Sequence, residues 1–183
     1  MVNCLTHGHE IRKPASKMSD SSNFKIPFQF KLCQYEGKKT FHTFSLNTVA
    51  PMVSMLKLTQ SATVSDLQVL VFPTASSASA TSTVTILWTP SSLLPTQNDC
   101  SAVFGAQMYT FGGPGVPLNT ITHNCDFSAI SPVMKDPFSR NDTPRISLSF
   151  LDSVPANKDG SIMAYVFVRG HLNCGSPALQ VTA

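Results

Sequence analysis

Val84, Ile86 and Trp88 alternate with Thr83, Thr85, Leu87 and Thr89, the two-residue period of a strand with one face in a core. Pro90 ends that ladder because it has no N–H for the next rung. Pro95 and Thr96 open a short segment in which Thr96 or Asn98 can act as the cap. Val103 and Phe104 form its apolar end and Gly105 its stop, so one or two helical turns are predicted there. Ala106 to Phe111 returns as a strand and ends at Gly112-Gly113-Pro114-Gly115. Residues 81–115 are thus two strands and the connection that joins them.

The clearest alternation lies upstream, where Phe24, Ile26, Phe28, Phe30 and Leu32 alternate with Lys25, Pro27, Gln29 and Lys31. Pro27 places this strand at a sheet edge or at its own start. Glu36-Gly37-Lys38 reads as a turn. A second strand over 40–49 points Phe44 and Leu46 inward with Phe41 out of phase, which predicts a bulge. Pro51 followed by Met52, Val53, Met55, Leu56 and Leu58 predicts a short helical connection. Residues 63–72 form a strand with apolar residues on both faces, and the segment PTASSASATS at 73–82 reads as an exposed, structureless loop tip. A weaker strand follows at 118–125, then a long irregular connection at 126–142. Ile146, Leu148 and Phe150 mark a strand over 145–152, and Asn157-Lys158-Asp159-Gly160 signals a tight turn into the last strand at 161–172. There Ile162, Ala164, Val166 and Val168 fill one face, and Met163, Tyr165 and Phe167 the other. A strand apolar on both sides needs a second cover, from its own chain or from a neighbouring subunit.

Eight strands result, with the short or tip-like joins at 36–39, 73–81, 112–117 and 153–160 and the long ones at 50–62, 90–105 and 126–144. That odd-even rhythm predicts an all-β fold, an eight-stranded antiparallel jelly-roll sandwich with short helical connections. The short joins should then gather at one narrow end. Residues 1–23, which lack periodicity, read as a flexible N-terminal arm, 24–175 as the jelly-roll domain and 176–183 as a short polar tail.

Composition narrows the function. Charged residues make up only 13% of the chain, so hydroxyl side chains fill the polar positions, a surface suited to strands and to extensive protein contacts. A net charge of +3 with dispersed Lys and Arg is a poor footprint for a dedicated nucleic-acid binder. The five cysteines, Cys4, Cys33, Cys100, Cys125 and Cys174, form no CxxC pair, so the reading is free thiols in a reducing compartment. The opening MVNCLTHGHEIRK has no apolar signal-peptide core, and no apolar run approaches the about 20 residues that cross a bilayer. Synthesis in the cytoplasm and no membrane partner are the corresponding expectations.

The segments FKIPFQF at 24–30, TVTILWTP at 83–90, FGAQMYTFGG at 104–113 and SLSFLDS at 147–153, in this order and spacing, resemble the coat proteins of tymoviruses and related small icosahedral RNA viruses. The likeness spans roughly residues 24–175, leaving out the first 20 or so residues and the Ser/Ala-rich loop at 75–82. The resemblance implies a structural capsid subunit that self-assembles, as pentamers and hexamers of itself, into a 180-copy T=3 virion shell around single-stranded RNA. It also implies that the arm lies inside and that the narrow end surrounds the fivefold and quasi-sixfold axes. Single-stranded RNA carries about one charge per nucleotide, so a subunit offering +3 neutralises little of its share. Polyamines or metal cations would do most of that work, as the resemblance also implies.

Within the arm, Arg12, Lys13 and Lys17 are the candidates for RNA contact, set against the simpler reading of solvated charges. His7 and His9 could titrate against phosphate near an ordinary pKa of about 6.5 or bind a metal, set against two exposed histidines. His42, His123 and His171 fall in or beside strands and read as locally hydrogen-bonded. Gly112 to Gly115 lacks the GK[ST] ending of a phosphate loop and reads as a turn. No GxSxG, HExxH or close acidic pair is present, so neither enzyme activity nor a cofactor is expected. The alternative from another class is a ligand-binding jelly roll, lectin-like or a trimeric recognition module; an RNA-binding regulator is the third, and the thin basic content speaks against it.

Overall fold

The computed structural model describes residues 24–38, 40–57, 59, 62–126, 143–152 and 160–174. Among these, eight strands follow in chain order: β1 Phe24–Tyr35, β2 Thr40–Ser45, β3 Ala62–Pro73, β4 Thr81–Thr89, β5 Gln107–Gly112, β6 Ile121–Asn124, β7 Arg145–Asp152 and β8 Ala164–Cys174. They form two four-stranded sheets ordered β1-β8-β3-β6 and β2-β7-β4-β5. All pairings are antiparallel. The chain changes sheet at every connection except β4 to β5, which is the jelly roll that the rhythm of short and long joins predicts. β1 is an edge strand, and this is why Pro27 is tolerated in it.

The core lies between the sheets. Val84, Ile86, Ile146, Leu148 and Phe150 face Val69, Val71, Val166 and Val168, all fully buried. Each such side chain contributes about 1.5–3 kcal/mol relative to an exposed one. Tyr35 crosses the gap and stacks on Phe150, with ring centroids 4.4 Å apart and planes 10° from parallel.

Several local expectations are corrected. β2 ends at Ser45 instead of running to residue 49, because a 3-10 turn at Leu46–Thr48 and helix α1 at Ala50–Leu56 follow at once. Phe41 makes no bulge: it pairs with Ser149 in an unbroken ladder and lies on the outer face. The irregularities fall instead between Lys31 and Cys33 in β1 and between Ser65 and Gln68 in β3. The segment read as a structureless tip contains a 3-10 helix, Ala75–Ser79, with Ser77 fully buried. In the β4–β5 connection the helical turn is Asp99–Ser101, and neither Thr96 nor Asn98 caps it by its side chain. The Asp99 carboxylate instead accepts from the Thr96 N–H and hydroxyl. β6 is shorter than residues 118–125, and β8 starts later than residue 161. Of the predicted turn at 157–160, only Gly160 lies among the described residues.

Candidate assembly and nucleic-acid surfaces

The end of β1, the approach to β8 and the turns after β3 and β5 meet at one end of the barrel through their main chain. The Met163 N–H donates to the Tyr35 carbonyl at 2.7 Å, Thr74 N–H to Met163 O at 2.9 Å, and Gly113 N–H to Ser77 O at 2.9 Å. These bonds tie the roots of β1 and β8 to the turn after β3 and the turn after β5. Gly112, Gly113 and Gly115 all have positive φ, so the Gly-Pro-rich stretch is a tight turn at this narrow end.

The outer faces of the two sheets differ in charge. On the β1-β8-β3-β6 sheet the alternation of β1 and β8 brings Lys25, Lys31, Arg169 and His171 to the side opposite Phe28, Phe30 and Val168. Asp66 sits among them at the β3 irregularity with φ of 54°, a left-handed geometry that Asp adopts more readily than most residues. Its carboxylate takes Lys25 Nζ at 2.7 Å and His171 Nδ1 at 3.0 Å. The hydrogen bond from Lys25 is the main reason that its pKa lies below the ordinary carboxylate value. Arg169 donates to Gln68, whose amide donates to Asn124 Oδ1 at 2.7 Å. A groove of about 590 Å³ runs beside this network, lined by Pro27, Gln29, Asp66, Gln68, Arg169 and His171. Farther along, Lys31 Nζ lies 5.4 Å from the centre of the Tyr165 ring, and Phe72 meets Phe167 edge to face.

The β2-β7-β4-β5 sheet presents hydroxyls instead. Thr43, Thr85, Thr89, Ser147 and Ser149 lie on its outer face by register. The cation at its margin, Arg145, is held by the carbonyl of Ser91 at 3.1 Å.

His123 is buried at the seam where β5 and β6 meet. Its Nδ1 lies 3.1 Å from the Tyr109 hydroxyl and 3.3 Å from Gln107 Oε1, and burial lowers its pKa. His42, on β2, stacks on Phe44, and burial lowers its pKa too. Cys33, Cys100, Cys125 and Cys174 are free thiols; burial pushes Cys33 up to about 12 and raises the other three. Among the described residues no cluster of His, Cys, Asp and Glu could hold a metal ion, and no helix is long and apolar enough to cross a membrane.

Arg12, Lys13, Lys17, His7 and His9, the RNA-contact candidates of the sequence, lie outside the described residues. The cationic face was not singled out by sequence. Lys25 and Lys31 are legible as outward positions of β1, but Arg169 and His171 join them only once β1 is known to pair with β8.

Residues 12–183 match the family described as Tymovirus coat protein. The chain belongs to the tymovirus coat protein family. It is 28% identical over 161 residues to the capsid protein of Grapevine fleck virus (isolate Italy/MT48), covering 86% of this chain and 70% of that one. It is 26% identical over 159 residues to the capsid protein of Kennedya yellow mosaic virus (strain Jervis bay), covering 86% and 82%. Its fold is similar to that of the empty head of turnip yellow mosaic virus, with a TM-score of 0.76 at 18% identity over 100% of this chain and 93% of that one. Desmodium yellow mottle tymovirus gives 0.75 at 17% identity over 100% of both chains.

As a tymovirus coat protein the chain has a structural role, not an enzymatic one, as a capsid subunit of a virion. Copies of it assemble with one another. Membership of this family sets aside the ligand-binding module as the reading of the function.

Proposed function

We propose that 180 copies of this coat protein close as pentamers and hexamers into a T=3 shell around single-stranded RNA. The narrow end surrounds the fivefold and quasi-sixfold axes, and the arm of residues 1–23 lies inside. The observation that carries this reading is the segregation of charge between the two sheets. Lys25, Lys31, Arg169 and His171 share one outer face, with Asp66 between Lys25 and His171 and Glu36 reached from Lys31 through Gln34 at its end, while the opposite sheet offers hydroxyls. β1 begins at Phe24, so the arm with Arg12, Lys13, Lys17, His7 and His9 enters the barrel on the cationic sheet. A strand of phosphates is therefore met by the arm and this face together. With a net charge of +3 per subunit, polyamines or other small cations neutralise the greater part of the RNA. Synthesis takes place in the host cytoplasm, where the thiols remain reduced.

The test is expression of the full chain, followed by sedimentation, electron microscopy and absorbance at 260 and 280 nm. Closed shells of uniform size whose mass gives 180 subunits, carrying RNA that is lost from a variant with Arg12, Lys13 and Lys17 all changed to Ala, are the expected result. A shell of another copy number overturns the T=3 assignment, and full RNA content in the triple variant overturns the role of the arm.

A further inference from the structure

The connection between β4 and β5 folds back over the hydroxyl-rich sheet. Arg145 holds it at Ser91, and the Gln97 amide donates to Ser149 Oγ at 3.4 Å. This strap accounts for the burial of Thr85, Leu87 and Ser149, whose side chains point out of the sheet, away from the core. It leaves apolar side chains of its own uncovered. Phe104 is 87% exposed and Leu94 66%, and Met108 on the adjoining β5 is 58% exposed. Next to Phe104 lies a cleft of about 210 Å³ lined by Trp88, Phe104, Gln107, His123, Asn124 and Asp126. Trp88 is 6% exposed, yet its indole N–H has no hydrogen-bond partner among the described residues. Native structures pair the large majority of such buried side-chain donors.

We infer that this strap and its cleft are the contact surface for a second copy of the chain, with Phe104 as the apolar anchor and the cleft floored by Trp88 as the socket beside it. The choice of occupant rests on three observations. Copies of a coat protein associate, so another copy is the partner already present. The strap, residues 90–106, contains no Lys or Arg, and Arg145 beside it is engaged with the Ser91 carbonyl, so a polyanion is the wrong occupant here. An exposed aromatic ring beside a pocket with a buried, unpaired donor also has the composition of an interface hot spot, where aromatic anchors dominate. The inference depends on the association of copies and on neither the RNA nor the copy number of the shell.

Shells and the subunits released from them are exposed to hydroxyl radicals, and oxidation at Phe104 and Met108 is read by mass spectrometry. Both residues should be protected several-fold in the shell; equal oxidation in the two states overturns the assignment. Protection that arises when RNA is added to unassembled subunits gives the surface to RNA and overturns it as well. Phe104→Ala should raise the concentration needed for half-assembly by at least about tenfold while leaving the melting temperature of the isolated subunit unchanged, because the ring is so exposed. Unaltered assembly of a folded Phe104→Ala subunit counts against the proposal. Trp88 is the single tryptophan of the chain, so its emission should shift on assembly, and a constant spectrum is a further contrary result.

Discussion

The hydroxyl of Tyr109 on β5 lies 3.1 Å from Nδ1 of His123 on β6, and this contact joins the last strand of one sheet to the last strand of the other. The two rings meet edge to face with centroids 5.9 Å apart. The barrel is therefore closed along this seam by a neutral side-chain bridge that includes a group able to gain a proton.

Burial disfavours the imidazolium form of His123, and its pKa lies below the ordinary 6.5. His42 is shifted in the same direction for the same reason. As pH falls through 6.5, the unfolded chain takes up protons that the native chain refuses, so stability is fully present above 6.5 and declines as pH drops toward the native pKa values. Thermal melts of dissociated subunits from pH 7.5 to 5 should show a falling Tm below about 6.5, and His123→Gln should flatten part of the slope. A wild-type Tm constant across that range contradicts the account.

The stack of Tyr35 on Phe150 offers a direct test of the core. Both rings are essentially inaccessible to water, and each belongs to a different sheet, so removing one opens a cavity that neither sheet can fill alone. Phe150→Ala should destabilise the subunit by about 3–5 kcal/mol, read from the denaturant midpoint. Thr83→Ala, at a half-buried position on the outer face of β4, should change it by no more than about 0.5 kcal/mol. A similar loss in both variants means that the two sheets do not share one packed core.

Alternation made most of this architecture legible. Val84, Ile86 and Trp88 announce their strand because one face is wholly buried, and Pro27 marks an edge or a strand start because a proline has no N–H for a ladder rung there. The failures have physical causes as well. Phe41 looks out of phase only if its strand faces bare solvent, and the outer face of that sheet also carries apolar and covered positions. Residues 75–79 look structureless because Ser and Ala carry no periodic signal, yet the buried Ser77 and its carbonyl bond to the Gly113 N–H organise the turn. The cationic face depends on the register of β1 against β8, and Phe24 pairs with Cys174 across a separation that no local pattern reports.

That same turn separates two effects of a glycine. Gly112 and Gly115 have nearly equal φ values, 75° and 76°, so replacing either with Ala imposes a similar left-handed strain, about 1–2 kcal/mol. At Gly115 an added Cβ meets nothing within 4 Å, whereas at Gly112 it would collide with the carbonyl oxygens of Ser77 and Ala80. Gly112→Ala should therefore be clearly the more damaging in a melting series, because it adds displacement of the 3-10 helix to the strain. Equal losses at the two positions count against the packing of Ala75–Ser79 on the end of β5.

Cys33 tests the integrity of the edge strand β1 from its chemistry. Its thiol is pushed up to about 12 by burial, so at pH 8 only about one in ten thousand molecules carries the reactive thiolate. Cys125 is raised still further by burial, with the nearby Asp126 carboxylate adding to the effect. With a disulfide reagent at pH 8, both should stay unmodified in the native subunit and react at once in denaturant, where thiols return to a pKa of about 8.5. Site-resolved mass spectrometry distinguishes them from Cys4, which precedes β1. Labelling of native Cys33 at the rate of a free thiol would show that β1 opens from β8 in solution, and with it the cationic face that the pair creates.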